Sequence, residues 1–312
     1  MTLKEIYNLA IKLGIQADPR GKESIKKLLN RAKRQFDDLK PKDRWEFDKE
    51  KLTNPYDDSR ILYEGPKKEI KKLMVGIDID PAEILIAKNF KNIDAVLSHH
   101  PVGSGLANLD GVMHLQADVL AYYGVPINIA EGLLEKRISE VARGINAVNH
   151  YQTVDAAKLL DMPLICVHTP ADNLVYDFVK NKIDKVDPQT VDELINLLKR
   201  IPEYKEATKL GVGPKIFAGS PQRRCGKIAV TEMTGGTEGA KEMYEKMSQA
   251  GIGTVIGMHM SEQHKTEAEK NHINVIIAGH ISSDSLGLNL LLDKLEKKVD
   301  IIPCSGLIRI KR

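Results

Sequence analysis

Apolar and polar positions alternate with two different periods along this chain. The first forty residues repeat apolar side chains at helical spacing, which predicts helices over 1–16 and 22–40. Prolines interrupt the next stretch, 40–66, which we interpret as an irregular bridge. Beyond it, short apolar runs alternate with longer amphipathic stretches, so strands are expected to alternate with helices.

The apolar runs predict seven strands. They cover 72–79, 94–98, 125–131, 162–168, 227–233, 254–258 and 273–279. Most of the intervening stretches are long enough for a crossover helix. The expected fold class is therefore α/β, with a mixed, mainly parallel sheet covered by helices on both faces. The strand, loop and helix theme occurs in both halves, which suggests a diverged duplication.

Breaks in the pattern divide the chain into four parts. Residues 1–72 are expected as a helical, basic segment packed on a first lobe that covers 73–200. The polar, glycine-rich stretch 201–225 is interpreted as a linker, and 226–312 as a second lobe.

Composition narrows the function classes. The chain has 312 residues, of which 42% are hydrophobic. This is enough to form the hydrophobic core of one large domain or of two lobes. Aromatic residues make up only 5%, which gives no support to carbohydrate stacking. The sequence contains no run of about 18 apolar residues, so no membrane span is predicted. The charged N-terminus does not look like a signal peptide. Three cysteines without CxxC spacing favour a reducing, cytoplasmic setting without disulfides.

Charge is unevenly distributed. Residues 1–72 carry 19 Lys and Arg against 13 Asp and Glu, whereas the whole chain has a net charge of only +3. Such a segment either meets an anionic partner or is a solvated helical face.

Histidines follow the apolar runs. Five of the nine stand at or just after the end of a predicted strand: His99, His100, His168, His259 and His280. Ligands of open α/β sheets bind outside the carboxyl ends of the strands. If the strands lie side by side, these five side chains meet in one crevice.

Two of these histidines have an aspartate four residues later, His168 with Asp172 and His280 with Asp284. Each aspartate is expected in the first turn of the next helix. Imidazoles with carboxylates suit Zn, Mn or Fe, and a carboxylate can bridge two ions. Taken singly, each aspartate could instead favour a helix dipole, and His168 could be a core histidine. The joint pattern favours a metal site.

The segments "LSHHPV", "VHTPADN" and "AGHISSD" resemble the three signature segments of the NGG-interacting factor 3-like family. The resemblance implies a dinuclear metal centre with two divalent ions per chain, and a homo-hexamer. It also implies two interleaved, pseudo-symmetric lobes in α/β/α layers. Members of the family are often labelled GTP cyclohydrolase type-2 homologues.

Carried over to this chain, the resemblance implies one ion held by His100 and Asp172, and another held by His99 and His280. Asp284 then bridges the two ions, although the family usually has glutamate there. His168 is then a residue that supports the ligands or faces the substrate, and His264 matches a family histidine near the metals. Either could be the catalytic histidine that carries a proton. The long spacing between the first two signatures implies an inserted βα unit at about 104–160.

Two further segments are candidates. In "TEMTGGTEGAK", Gly235, Gly236 and Gly239 could hold an anion through backbone N–H groups, with Lys227 facing a phosphate, or could simply form a tight turn. Asp57, Asp58 and Arg60 look exposed and lack metal spacing, so we interpret them as part of a structured loop.

These patterns favour a metal-dependent hydrolase that acts on a nucleotide or phosphoester-like small molecule. The alternative is a non-enzymatic, metal-binding regulatory scaffold that recruits a protein partner. Nucleic-acid binding inside a ring is a weaker hypothesis, and no membrane partner is expected. The substrate is not determined by these residues.

Overall fold

The computed structural model describes residues 1–90 and 92–312. Its first α-helices are α1 (Leu3–Ala17), α2 (Lys22–Asp38), α3 (Pro81–Asn89), α4 (Gly103–Ala107), α5 (Leu109–Val112), α6 (His114–Tyr122) and α7 (Ile127–Asn146). They are followed by α8 (Gln152–Leu159), α9 (Thr169–Val186), α10 (Val191–Lys199), α11 (Pro202–Lys209), α12 (Met243–Gln249), α13 (Glu262–Lys270) and α14 (His280–Leu295). Two short 3-10 helices cover Pro41–Glu46 and Lys49–Leu52.

Two sheets carry these helices. The strands are β1 (Arg60–Tyr63), β2 (Lys72–Gly76), β3 (Ala95–Ser98), β4 (Leu164–Cys166), β5 (Lys215–Ala218), β6 (Lys227–Glu232), β7 (Ile252–Gly257), β8 (Asn274–Ile277) and β9 (Asp300–Pro303). The first sheet has the order β1-β4-β3-β2-β9, and the second β5-β8-β7-β6. Among the strands of the described residues, only the edge strands β1 and β5 pair antiparallel to their neighbours. The predicted mainly parallel α/β fold is confirmed.

The two sheets repeat one topology. In each, the first strand of the lobe is the antiparallel edge, and the next three run parallel in reverse order. Hydrogen bonds beyond the strand ends match as well: His99 N donates to Gly76 O, and Met258 N donates to Glu232 O. Such equivalence supports the hypothesis of a duplicated unit.

The lobes exchange elements, which explains how the site is assembled. Helix α9 follows the first sheet but places Val175, Tyr176 and Val179 in the core of the second. Helix α14 follows the second sheet but packs Leu288 and Leu292 into the core of the first. Strand β9 then pairs with β2. The range 226–312, predicted as the second lobe, therefore gives its last strand to the first sheet.

The N-terminal segment packs on this shared layer. A capping box between Thr2 and Glu5 begins α1, which lies against α9 so closely that a Cβ at Gly14 would be 2.7 Å from Pro170. Helix α2 buries only Ile25, which agrees with the interpretation of its charges as a solvated face.

Residues 125–131 were predicted as a strand, and this is wrong because α7 covers Ile127–Asn146. Pro126 stands just before the helix, where a missing N–H costs no hydrogen bond. Ala130, Leu134 and Val141 are the buried side chains, at helical spacing. Residues 103–159 are accordingly helical, from α4 to α8, and the expected βα insertion contains no strand.

Three other predictions need correction. The expected linker 201–225 contains α11 and β5, the edge strand of the second sheet. Strand β9 was not predicted, because its short run, "DIIP", follows a charged stretch and ends in proline. The stretch 236–251, long enough for a crossover helix along its whole length, is helical only in α12. Gly235 and Gly236 adopt positive φ values of 71° and 92°, and the chain coils before the helix.

Cys166, Cys225 and Cys304 are free thiols, as the sequence predicted. Among residues 1–90 and 92–312, no helix has both the length and the apolar character that crossing a bilayer requires.

Candidate metal centre

The neighbouring histidines His99 and His100 face the same crevice because the chain bends after β3. Both backbone N–H groups donate to the end of β2, His99 to Gly76 O and His100 to Ile77 O, each at 2.9 Å. In a regular parallel ladder, consecutive residues donate to opposite neighbours. Losing that alternation brings the two rings to a centroid distance of 5.3 Å.

The five strand-end histidines form one continuous row. Ring centroids are 5.1 Å apart for His168 and His99, 5.1 Å for His100 and His280, and 5.2 Å for His280 and His259. The prediction that strand-end histidines converge is therefore confirmed. The row passes from the buried His99, fully shielded, to His280, whose side chain is 41% exposed.

Two carboxylates lie between these rings. His99 Nε2 is 3.3 Å from Asp172 Oδ1 and 3.5 Å from Asp284 Oδ1. The other oxygen of Asp284, Oδ2, is 3.4 Å from His100 Nε2 and 3.7 Å from His280 Nε2. All five residues predicted as metal ligands are thus brought together.

The grouping differs from the one that the resemblance implied. Potential ligand atoms lie within 4.8 Å of one another in the set His99, Asp172 and Asp284, and in the set His100, His280 and Asp284. The partners of the two adjacent histidines are exchanged, because His99 turns inward to α9 and His100 turns outward to α14. Asp284 belongs to both sets, as a bridging carboxylate would.

Three buried ligand atoms in this cluster have no hydrogen-bond partner among the described residues. They are His99 Nε2, Asp172 Oδ1 and Asp284 Oδ2. On the other side of the ring, His99 Nδ1 lies 3.0 Å from Val167 O and must donate its proton to that carbonyl. Burying unpaired polar atoms is costly, and cations coordinated by these atoms would remove the cost.

The pKa values of His99 and Asp284 are shifted because the imidazoles and carboxylates lie so close together. Burial by itself would lower the pKa of His99, but the carboxylates of Asp284 and Asp172 raise it well above its ordinary value. Burial opposes ionisation of Asp284, yet His99 and His100 hold the pKa of that carboxyl far below its usual range. Each group therefore favours a positive charge next to the carboxylates, which is the electrostatic requirement of a divalent-metal site.

Asp284 was predicted in the first turn of its helix, and this is wrong. Gly279, with φ of 104°, allows α14 to begin at His280 itself, so Asp284 falls in the second turn. Asp172 does lie in the first turn of α9, after His168 at the N-cap position. Both pairs keep the spacing of four residues that places them on one helix face.

The fold and this geometry can be compared with known proteins. A NIF3 superfamily protein from Sphaerobacter thermophilus matches with a TM-score of 0.74 and 28% identity, over 82% of this chain and 94% of that one. This match supports the resemblance of the sequence to the NGG-interacting factor 3-like (NIF3-like) family. Reduced HcgD from Methanocaldococcus jannaschii matches with a TM-score of 0.48 and 16% identity, over 76% of this chain and 84% of that one. No family model and no curated protein matches the chain.

Two aspartates that sequence reasoning missed support the histidines of this centre. Asp78 Oδ1 is 2.6 Å from His100 Nδ1, and Asp58 Oδ2 is 2.8 Å from His168 Nδ1. Asp58 and Arg60 were interpreted as exposed, which is wrong because they are only 0% and 4% exposed. Asp78 directly follows the apolar run of β2, and that position was the available signal.

His264, predicted as catalytic, has both ring nitrogens engaged within its own lobe. Its Nδ1 lies 2.7 Å from Ser261 Oγ, and its Nε2 lies 3.0 Å from Gly239 O. The ring therefore fastens the glycine-rich loop, residues 233–242, to the start of α13. A proton-carrying role would require one of these bonds to open, and that role stays a prediction.

The glycine-rich loop packs tightly against the inserted helices. A Cβ at Gly236 would lie 2.6 Å from Met113 Cγ, and Gln116 Nε2 donates to Gly235 O at 2.9 Å. This is the tight-turn alternative. Lys227, expected to face a phosphate beside this loop, instead begins β6 at its opposite end and donates to Tyr123 O.

An acidic cluster adjoins the His259 end of the histidine row. Glu232, Glu238 and His259 bring potential ligand atoms within 4.8 Å of one another. Burial, reinforced by Glu238, raises the pKa of Glu232 to about 7. Thr234, Gly236 and Thr237 complete this side of the cleft, which they line together with the metal-centre side chains.

Proposed function

We propose that this NIF3-like protein binds two divalent ions per chain and uses them to hydrolyse a phosphoester-like small molecule. The observation that carries the proposal is a set of three buried, unpartnered ligand atoms in this cluster. His99 Nε2 and Asp172 Oδ1 lie 3.3 Å apart, and Asp284 Oδ2 faces His100 and His280. Nitrogen and carboxylate ligands in such a set suit Zn, Mn or Fe. His99 with Asp172 would hold an inner ion, His100 with His280 an outer ion, and Asp284 would bind both.

Two metal ions bound in this way polarise a phosphoryl group and lower the pKa of bound water, which is the chemistry of two-metal hydrolases. The protein's own residues supply the rest. His280, whose side chain is 41% exposed, borders the opening. Glu232 faces it from the second lobe, and a pKa of about 7 lets this carboxyl exchange a proton near neutral pH. Thr234 and Thr237 offer hydroxyl groups to a polar substrate.

The test is reconstitution. Purified protein is freed of metal with a chelator, loaded with Mn²⁺, Zn²⁺ or Fe²⁺, and assayed against nucleotides, cyclic dinucleotides and simple phosphodiesters. Turnover is expected only with metal, and His100→Ala should abolish it. His272→Asn, in the turn after α13, is the matched control and should retain turnover. Absence of metal-dependent turnover on every class would contradict the hydrolase proposal.

We also propose that six chains assemble, as the resemblance implied. Helix α3 supports assembly, since Leu85 and Ile86 each remain 52% exposed in the isolated chain. Exposed aliphatic side chains of this size commonly mark an interface. The mass in solution, measured by light scattering after gel filtration, should correspond to six chains of 34.8 kDa. A monomeric mass at micromolar concentration would contradict the assembly.

A further inference from the structure

Three histidines of the crevice share one arrangement of their rings. His99 Nδ1 lies 3.0 Å from Val167 O, His100 Nδ1 lies 2.6 Å from Asp78 Oδ1, and His168 Nδ1 lies 2.8 Å from Asp58 Oδ2. Each acceptor is an oxygen that fixes the Nδ1 proton and leaves Nε2 as the available ligand atom. Metal-binding histidines nearly always have such an acceptor on the far side of the ring.

The three free faces also meet. One ring nitrogen from each of His99, His100 and His168 lies within 4.8 Å of the other two. His168 Nε2 is 3.6 Å from Asp172 Oδ2, too far for a hydrogen bond and close to a carboxylate of the inner set. The side chain of His168 is only 9% exposed and lines the same cleft. The ring of His168 therefore lies close enough to the proposed ligands to bind the same ion.

We propose that His168 is itself a metal ligand, the third histidine of the inner ion, and that Asp58 positions it. This inference rests on the proposed two-ion function and changes the role that the sequence suggested for His168, from proton carrier to ligand. The inner ion would then have His99, His168, Asp172 and Asp284, and the outer ion His100, His280 and Asp284.

Asp58 is built for the positioning role. Besides His168, its carboxylate accepts from Thr169 Oγ1 at 2.6 Å and from Ser59 Oγ at 3.2 Å. Ser59 Oγ in turn accepts from the backbone N–H of His168 at 3.0 Å. Ring and backbone of residue 168 are thus both held by the segment before β1, so the basic N-terminal segment contributes to the geometry of the metal centre.

The experiment measures Co²⁺ binding to the metal-free full chain, by competition with a chromophoric chelator and by the visible absorption of the bound ion. His168→Gln should weaken the tighter ion at least about tenfold and change its absorption band, because one nitrogen ligand is lost. Asp58→Asn leaves the ligand in place and should weaken the same ion about tenfold, as outer partners of ligating histidines do. His272→Asn should behave as wild type.

X-ray absorption of the Co²⁺-loaded wild type gives a second measurement that requires no variant. Its imidazole signal should correspond to four histidine ligands per chain. Three imidazoles, or a folded His168→Gln variant with unchanged affinities and spectrum, would overturn the inference while leaving the two-ion proposal standing. Wild type that binds no Co²⁺ would overturn both. Circular dichroism of each metal-free variant establishes that it is folded.

Discussion

Gly287 of α14 lies against the backbone carbonyl of Ala171 in α9. A Cβ built at position 287 would be 2.3 Å from that oxygen and 2.8 Å from Val175 Cγ2. The two helices can approach this closely only because no side chain stands between them. Asp172 follows Ala171 directly, and Asp284 lies one turn before Gly287, so the crossing sets the spacing of the two metal-site carboxylates.

We expect Gly287→Ala to damage stability and metal binding together. The added methyl group must push α9 and α14 apart, and such overpacking typically costs about 1–3 kcal/mol. The free energy of unfolding in urea should fall by that amount. The dissociation constant of the more tightly bound Co²⁺ ion should rise. Gly132→Ala in α7 is the matched control, because a Cβ there has nothing within 4 Å. That variant should be neutral or up to about 1 kcal/mol more stable.

The two proposed ions should exchange at different rates. The side chains of His99 and Asp172 are 0% and 6% exposed, whereas that of His280 is 41% exposed. Water and chelator therefore reach the outer ion first. A chelator added to the loaded protein should release one ion per chain rapidly and the second at least tenfold more slowly. His280→Ala should remove the rapid phase and leave the slow one, and a single rapid phase in wild type would contradict the inner and outer assignment.

Asp284 should control both ions. Its two oxygens face His99 on one side, and His100 with His280 on the other, so a change there reaches both sets. Asp284→Asn should reduce bound metal, measured by elemental analysis, from two ions per chain to at most one. Asp284→Glu restores the residue that the family usually has and should keep two ions. Asp293→Asn, further along α14, is the control; two tightly bound ions in Asp284→Asn would exclude a bridging role.

Sequence patterns predicted the members of the site better than their connections. The strand ends placed His99, His100, His168 and His280 correctly, because a parallel sheet gathers its carboxyl ends at one edge. The pairing of His99 and His100 with their carboxylates was not predictable, since it depends on where the backbone bends after Ser98. The role of Asp58 was missed because its partners His168 and Thr169 are 110 and 111 residues away in the chain.

The fold shows the same division. Long amphipathic stretches such as α1 and α2 were predicted nearly to the residue, since their spacing alone defines a face. The exchange of α9 and α14 between the lobes depends on contacts between residues far apart in the chain. No local pattern encodes the close crossing at Gly287, or the return of β9 to the first sheet.

Replacing His264 should mainly reduce the stability of the fold rather than catalysis. The ring bridges Ser261 Oγ and Gly239 O, and losing a buried hydrogen bond costs about 1–3 kcal/mol. His264→Ala should lower the free energy of unfolding by at least that amount while metal content remains at two ions per chain. Loss of turnover with unchanged stability would instead support the proton-carrying role that the sequence suggested.

Glu232 should make the metal-free protein less stable as the solution becomes more alkaline. Its pKa is raised to about 7 in the fold from an ordinary value of 4.5, so the folded state binds the proton more tightly than the unfolded chain does. Stability is therefore lost as pH rises from about 4.5 to about 7, and the loss is complete above that range.

Replacing the carboxyl by an amide removes this titration. Glu232→Gln should gain stability relative to wild type between pH 5 and pH 8, measured as the difference in urea unfolding free energies at the two values. Glu262→Gln is the control, because that side chain is 85% exposed and should show no such gain. An equal difference between Glu232→Gln and wild type at both pH values would mean that the carboxyl titrates normally, and Glu232 could then not serve as a proton donor at neutral pH.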